Sequence, residues 1–162
     1  MNTDKSMKTT YISNSFSETK KIGKQIAGDL IDYYRKNGRV VIGLEGELGA
    51  GKTALVKGMA KQLKISENIT SPTFLLVREY TDSEIPLYHF DFYRLKSEND
   101  LDSFGFFDYL NQSGFFVIEW AQMFETALPE DTIFIKIDIQ DNGSRKIEIK
   151  ERNAGDSPAR YK

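Results

Sequence analysis

The 162-residue sequence contains no cysteine, which excludes a disulfide framework and thiolate metal sites. It contains a single histidine, too few for a histidine-rich metal centre. Neither sign of charge dominates. Twenty-two Lys and Arg against 24 Asp and Glu leave a formal net charge of -2, so charge alone points to no nucleic-acid groove. No apolar run approaches the ~18 residues needed to cross a bilayer. Residues 1–10 are polar and lack the apolar stretch of a signal peptide. Together these absences predict a soluble, cytoplasmic protein that does not meet a membrane. What is present is an ordinary globular balance, 40% hydrophobic and 28% charged, in a length that suits one domain.

The hydrophobic pattern places the elements. Residues 1–10 read as a flexible arm, 11–151 as the folded domain and 152–162 as a polar, aperiodic tail expected to be disordered. Ser17 is the expected cap of a helix running to Asn37, with Ile22, Ile26, Leu30 and Tyr33 or Tyr34 as its apolar stripe and Gly38 as its stop. Val40 to Leu44 is apolar without alternation, the pattern of a strand buried on both faces. A helix is predicted from Lys52 to Leu63. Strands are predicted over Phe74–Tyr80 and Pro86–Phe92, joined by a turn at Thr81–Glu84. Ser97–Leu110 reads as two short helical pieces broken near Gly105. Phe115–Ile118 is a second buried strand, ending at Glu119 and Trp120. Ile133, Ile135, Ile137 and Ile139 alternate with polar residues, and Asp141–Ser144 turns the chain back through Ile147 and Ile149 as a hairpin. This order predicts a single α/β domain whose mixed sheet has a parallel centre and antiparallel flanks.

The chemistry concentrates between the first buried strand and the helix after it. Gly46-Glu47-Leu48-Gly49-Ala50-Gly51-Lys52-Thr53 fits the Gly-x4-Gly-Lys-Thr pattern in full. A triphosphate needs many donors at close range. Glycines let backbone N–H groups turn inward, the helix adds its positive end, Lys52 can reach the β- and γ-phosphates, and the Thr53 hydroxyl can ligate Mg²⁺. Such a loop also needs a carboxylate near the metal, at the end of a neighbouring apolar strand. Two residues qualify: Glu119, after Phe115–Ile118, and Asp91, after Leu87–Phe90. Trp120 and His89 each have an equally plain reading as buried packing residues. Ser71-Pro72-Thr73 is a loop entering a strand, and near a γ-phosphate its hydroxyls could sense nucleotide state.

The ordered set of that loop, Ser71-Pro72-Thr73-Phe74, His89-Phe90-Asp91-Phe92-Tyr93-Arg94-Leu95 and Ile118-Glu119-Trp120 closely resembles the bacterial TsaE (YjeE) family over residues 15–150. Asp102-Ser103-Phe104-Gly105 through Tyr109-Leu110 is similar to that family's helical segment. The resemblance implies a P-loop ATPase, using ATP and Mg²⁺, that supports threonylcarbamoyladenosine formation in tRNAs reading codons that begin with A. It would act with the transferase TsaD and its paralogue TsaB, and meet tRNA only through them. By the same resemblance, residues 46–53 and Thr73 would serve the nucleotide, Thr53 and Glu119 the metal, and Asp91, Glu119 and Trp120 hydrolysis or coupling. Glu47 stands where the family often has Asp, within the loop. Ala121 stands where proline often follows the tryptophan, which is expected to loosen the segment after Trp120. A small-molecule kinase fits less well, because arginines are scattered (Arg35, Arg39, Arg78, Arg94 and Arg145 among them) rather than gathered on a lid. A GTPase would carry Asn-Lys-x-Asp, and no such tetrapeptide occurs. A nucleotide-gated binding module with little catalysis of its own overlaps the ATPase reading.

Overall fold

The computed structural model describes residues 9–150. Strand β1 (Thr9–Ser13) leads into helix α1 (Phe16–Asn37), strand β2 (Arg39–Gly46) and helix α2 (Lys52–Gln62). Then come strands β3 (Val77–Tyr80) and β4 (Leu87–Asp91), short helices α3 (Glu98–Ser103) and α4 (Phe106–Tyr109), and strand β5 (Gly114–Glu119). A 3-10 segment over Ala121–Ala127 precedes the hairpin of β6 (Ile133–Ile139) and β7 (Arg145–Lys150). The seven strands form one sheet in the order β1-β7-β6-β2-β5-β4-β3. β6, β2, β5 and β4 run parallel, whereas β1 on β7, β7 on β6 and β3 on β4 are antiparallel. The parallel centre with antiparallel flanks is therefore as the hydrophobic pattern predicts.

Each sheet face has its own core. Val40, Ile42, Leu44, Phe115, Val117 and Ile135 point toward α1 and α2. Val41, Tyr88, Phe90, Phe116 and Ile118 meet Leu101, Phe106 and Leu110 of the other layer. Phe90 sits edge-on to Phe106 and Tyr109 at centroid distances of 5.2 and 5.4 Å. The two long helices cross at glycines. A Cβ on Gly23 would lie 2.2 Å from the Leu55 carbonyl oxygen, and one on Gly58 1.9 Å from that of Lys20. Backbones this close leave no room for a side chain, which locks α2, and the loop at its start, onto α1.

Several local expectations shift. β1 takes in Thr9 and Thr10, which the sequence places in a flexible arm, because β7 offers an edge to pair with. The rest of that arm (residues 1–8) and the 152–162 tail lie outside the described residues. The cap of α1 is Ser15, not Ser17. Ser15 Oγ accepts the Glu18 N–H at 3.1 Å while Glu18 Oε2 accepts the Asn14 N–H at 2.6 Å, and only Ser15 stands three residues before a glutamate. Gly38 ends the helix as expected, at φ 78°, its N–H on the Tyr34 carbonyl. The strand predicted from Phe74 begins only at Val77. The Pro72 carbonyl captures both the Leu75 and Leu76 N–H groups, and Leu76 takes φ 66°, so residues 72–76 turn instead of extending.

Candidate functional site

The parallel strands end together, and the site lies beyond their carboxyl ends. β2 runs out at Gly46, and the chain turns through Gly49 and Gly51, at φ 80° and 108°, into the first residue of α2. Those two dihedrals are open to glycine and strained for other residues, so the loop shape depends on them. In β4 and β5, Asp91 and Glu119 are directly opposite in register, and both are 3% exposed. Two strand-end carboxylates are thus delivered side by side, next to the loop that leaves the strand beside them.

Lys52 is drawn back over its own loop. Its Nζ donates to the Gly46 carbonyl at 2.5 Å and to the Glu47 carbonyl at 3.0 Å. It also lies 4.5 Å from the centre of the Trp120 ring. Burial pushes the Lys52 ammonium below the ordinary lysine pKa, and the Glu119 and Asp91 carboxylates pull in the opposite direction. Trp120 reaches this place through a left-handed backbone, φ 59°. A non-glycine residue there costs on the order of 1 kcal/mol, which the ring's contacts with Lys52 and Tyr93 offset. Trp120 is half-buried: it packs against the core on its side of the sheet and also lines the cavity.

Asp91 is held from two sides. Its Oδ2 accepts the Thr73 hydroxyl at 2.8 Å, and its Oδ1 accepts the Tyr93 N–H at 2.9 Å. The Thr73 hydroxyl lies 2.7 Å from that of Ser71. The Ser-Pro-Thr turn is thereby tied to the carboxylate at the end of β4. His89 is fully buried, with Nε2 3.2 Å from Glu119 Oε2. Its Nδ1 is buried with no hydrogen-bond partner. A proton there would be an unsatisfied donor, so the favoured tautomer carries the proton on Nε2 and donates it to Glu119. His89 is thus buried and hydrogen-bonded to Glu119, one residue removed from the cavity wall.

One cavity of about 300 Å³ joins these groups. Leu48, Gly49, Gly51, Lys52, Thr53, Thr73, Asp91, Glu119 and Trp120 line it. Of the predicted loop residues, Gly46 and Glu47 contribute the carbonyls that hold Lys52, and Ala50 is buried beneath. The Glu47 side chain is exposed. Ala121, fully buried, packs toward Gly43, where an added Cβ would come within 2.8 Å of its own. Beyond Ala54, next to the predicted loop, sequence reasoning missed two lining or flanking residues. Phe16 lines the cavity, and Arg145 binds the loop carbonyls of Ala50 and Gly49 at 3.1 and 3.3 Å. Neither carries a local signal, since one opens a helix and the other opens β7, far along the chain.

Among the described residues, no group of three or more His, Cys, Asp or Glu is placed to hold a metal. The Thr53 hydroxyl and the Asp91 and Glu119 carboxylates, beside Lys52, would suit a cation whose other ligands are phosphate oxygens and water. Also among the described residues, no helix is long and apolar enough to cross a membrane.

A central parallel strand, a glycine-rich loop, a helix starting at Lys52 and paired strand-end carboxylates mark an α/β protein built on a single mixed seven-stranded sheet. Within that class the chain belongs to the TsaE family: residues 13–147 match the family model described as threonylcarbamoyl adenosine biosynthesis protein TsaE. It is 38% identical to the tRNA threonylcarbamoyladenosine biosynthesis protein TsaE of Haemophilus influenzae, over 91% of this chain and 92% of that one. It is 44% identical to the TsaE of a Nostoc species, over 70% and 71% of the two chains. The crystal structure of Bacillus subtilis YdiB superposes with a TM-score of 0.71 at 30% identity, covering 91% of this chain and 88% of that one.

Proposed function

We propose that this chain is a cytoplasmic ATPase of tRNA threonylcarbamoyladenosine biosynthesis, working with TsaD and TsaB and meeting tRNA only through them. The observation that carries the reading is the convergence of Lys52, Thr53, Asp91 and Glu119 on one cavity at the glycine-rich loop. In this reading the backbone N–H groups of residues 46–53 cradle the phosphates, and Lys52 exchanges its two loop carbonyls for β- and γ-phosphate oxygens. Thr53 and Glu119 would hold Mg²⁺, which supplies neutralisation of charge on the phosphate oxygens. Asp91, fixed by Thr73 and the Tyr93 N–H, keeps lone pairs for orienting the attacking water. Attack at the γ-phosphorus breaks its bond to the β–γ bridging oxygen, giving ADP, inorganic phosphate and a proton. Trp120 excludes water from the Lys52 side.

The partner part of the reading is supported by the rim. Leu48, Phe74 and Tyr93 are 90%, 78% and 57% exposed beside the cavity. Apolar side chains kept in water around a polar site suit a protein that covers it. The Thr73–Asp91 bond gives such a partner a direct handle on the carboxylate. The test is phosphate release from ATP by the purified chain, with and without TsaB and TsaD. Turnover that rises when both partners are added is the expected result. An absence of ATP binding together with an absence of turnover in either mixture overturns the reading.

A further inference from the structure

We infer that Phe16 and Arg145 form the seat for the nucleobase, a flat purine stacked at the loop's Gly49–Gly51 side. The inference rests on the nucleotide reading above and concerns a part of the cavity that the reading leaves without a role. Phe16 is the first residue of α1, yet it is 52% exposed and belongs to neither core. A phenylalanine left half in water on the wall of a cavity is not there to fill the interior.

Its surroundings are built. Ring atoms of Phe16 lie 3.6 and 3.7 Å from the position a Cβ on Gly51 would occupy, so the ring rests against the loop. The Arg145 guanidinium carbon stands 4.6 Å from the ring centre. That guanidinium is fixed by three carbonyls: Ala50 through Nε, Gly49 through Nη2 and Gly143 through Nη1. Opposite registration of Ser13 and Arg145 across β1 and β7 brings the arginine to the β1–α1 turn, where Phe16 begins. A ring and a planar cation held together make a platform on which a heterocyclic base can stack.

The cavity is chemically divided in the way a nucleotide requires. Lys52 faces Trp120, Glu119 and Asp91, which suits the terminal phosphate and metal. Phe16 and Arg145 sit against the earlier loop residues instead. A nucleotide laid with its γ-phosphate at the carboxylates has its base to place elsewhere along the same wall, and the flat surface is there.

The test separates base from phosphate. Calorimetry would compare Mg-ATP with Mg-tripolyphosphate, which carries the phosphates and no base, on the wild type and on Phe16→Ala, Phe16→Leu and Phe16→Tyr. The expected result is a loss of ATP affinity of about tenfold or more for Phe16→Ala and Phe16→Leu, with tripolyphosphate affinity unchanged and Phe16→Tyr near the wild type. Equal losses for both ligands would mean that Phe16 merely props the loop. No loss for either would mean that the base lies elsewhere. Both outcomes overturn the inference while wild-type binding leaves the nucleotide reading standing. A wild type that binds neither ligand removes both.

Discussion

His89 Nε2 lies 3.2 Å from Glu119 Oε2, and both side chains are almost wholly buried. The imidazole sits on β4 two residues before Asp91, and the glutamate ends β5, so the pair runs diagonally across the parallel strands beneath the cavity. A buried donor on one carboxylate oxygen fixes how the other is turned.

His89 is therefore expected to act as a positioning residue for Glu119. His89→Leu removes the donor, and the magnesium midpoint for ATP turnover should rise several-fold. His89→Gln can place an amide N–H near the old Nε2 and should recover much of the midpoint. If both variants lose thermal stability with an unchanged magnesium midpoint, His89 only packs.

Lys52→Ala should weaken triphosphate binding by roughly ten- to a hundredfold, the scale of one or two charge-assisted hydrogen bonds. Thr53→Ala should act through the metal, lowering turnover more than affinity. Calorimetry and phosphate release measure the two effects. Wild-type values for both variants in both assays would remove the phosphate-site assignment.

The two carboxylates should separate by role. Glu119→Gln is expected to shift the magnesium dependence of turnover. Asp91→Asn should leave nucleotide binding in place and reduce the turnover elicited by TsaB and TsaD, because it weakens the link to Thr73. Titrating magnesium against turnover with partners present decides it. A shifted midpoint for Asp91→Asn alone would reverse the roles.

Gly58→Ala tests the helix crossing. Alanine favours a helix over glycine by about 1 kcal/mol. Here the new methyl would sit 1.9 Å from the Lys20 carbonyl oxygen, a backbone atom that cannot swing aside. Overpacking of this kind costs about 1–3 kcal/mol, more than the propensity gain at most of that range. Urea unfolding should show a lower midpoint, and an unchanged or raised one would mean that α1 and α2 part easily.

The local windows of the sequence were enough for much of this protein. The glycine-rich loop, the buried strands before and after it, the glycine stop of α1 and the 133–150 hairpin each depend on neighbours within a few residues. Glu119 and Asp91 were legible for the same reason, since each closes an apolar run. The false strand start at Phe74 shows where this fails: apolar residues there face solvent, and a carbonyl at Pro72 takes the N–H groups that a strand would have used. Only the tertiary structure decided which residues meet. β1 joins the sheet because β7 presents an unpaired edge, and that pairing sets Arg145 beside Phe16. Trp120 covers Lys52 because of a positive φ that no spacing announces, and His89 reaches Glu119 because β4 and β5 are parallel neighbours in one register. Periodicity says which face of a segment is apolar. It is the packing of distant segments, each burying that face, that brings these polar groups within hydrogen-bonding distance.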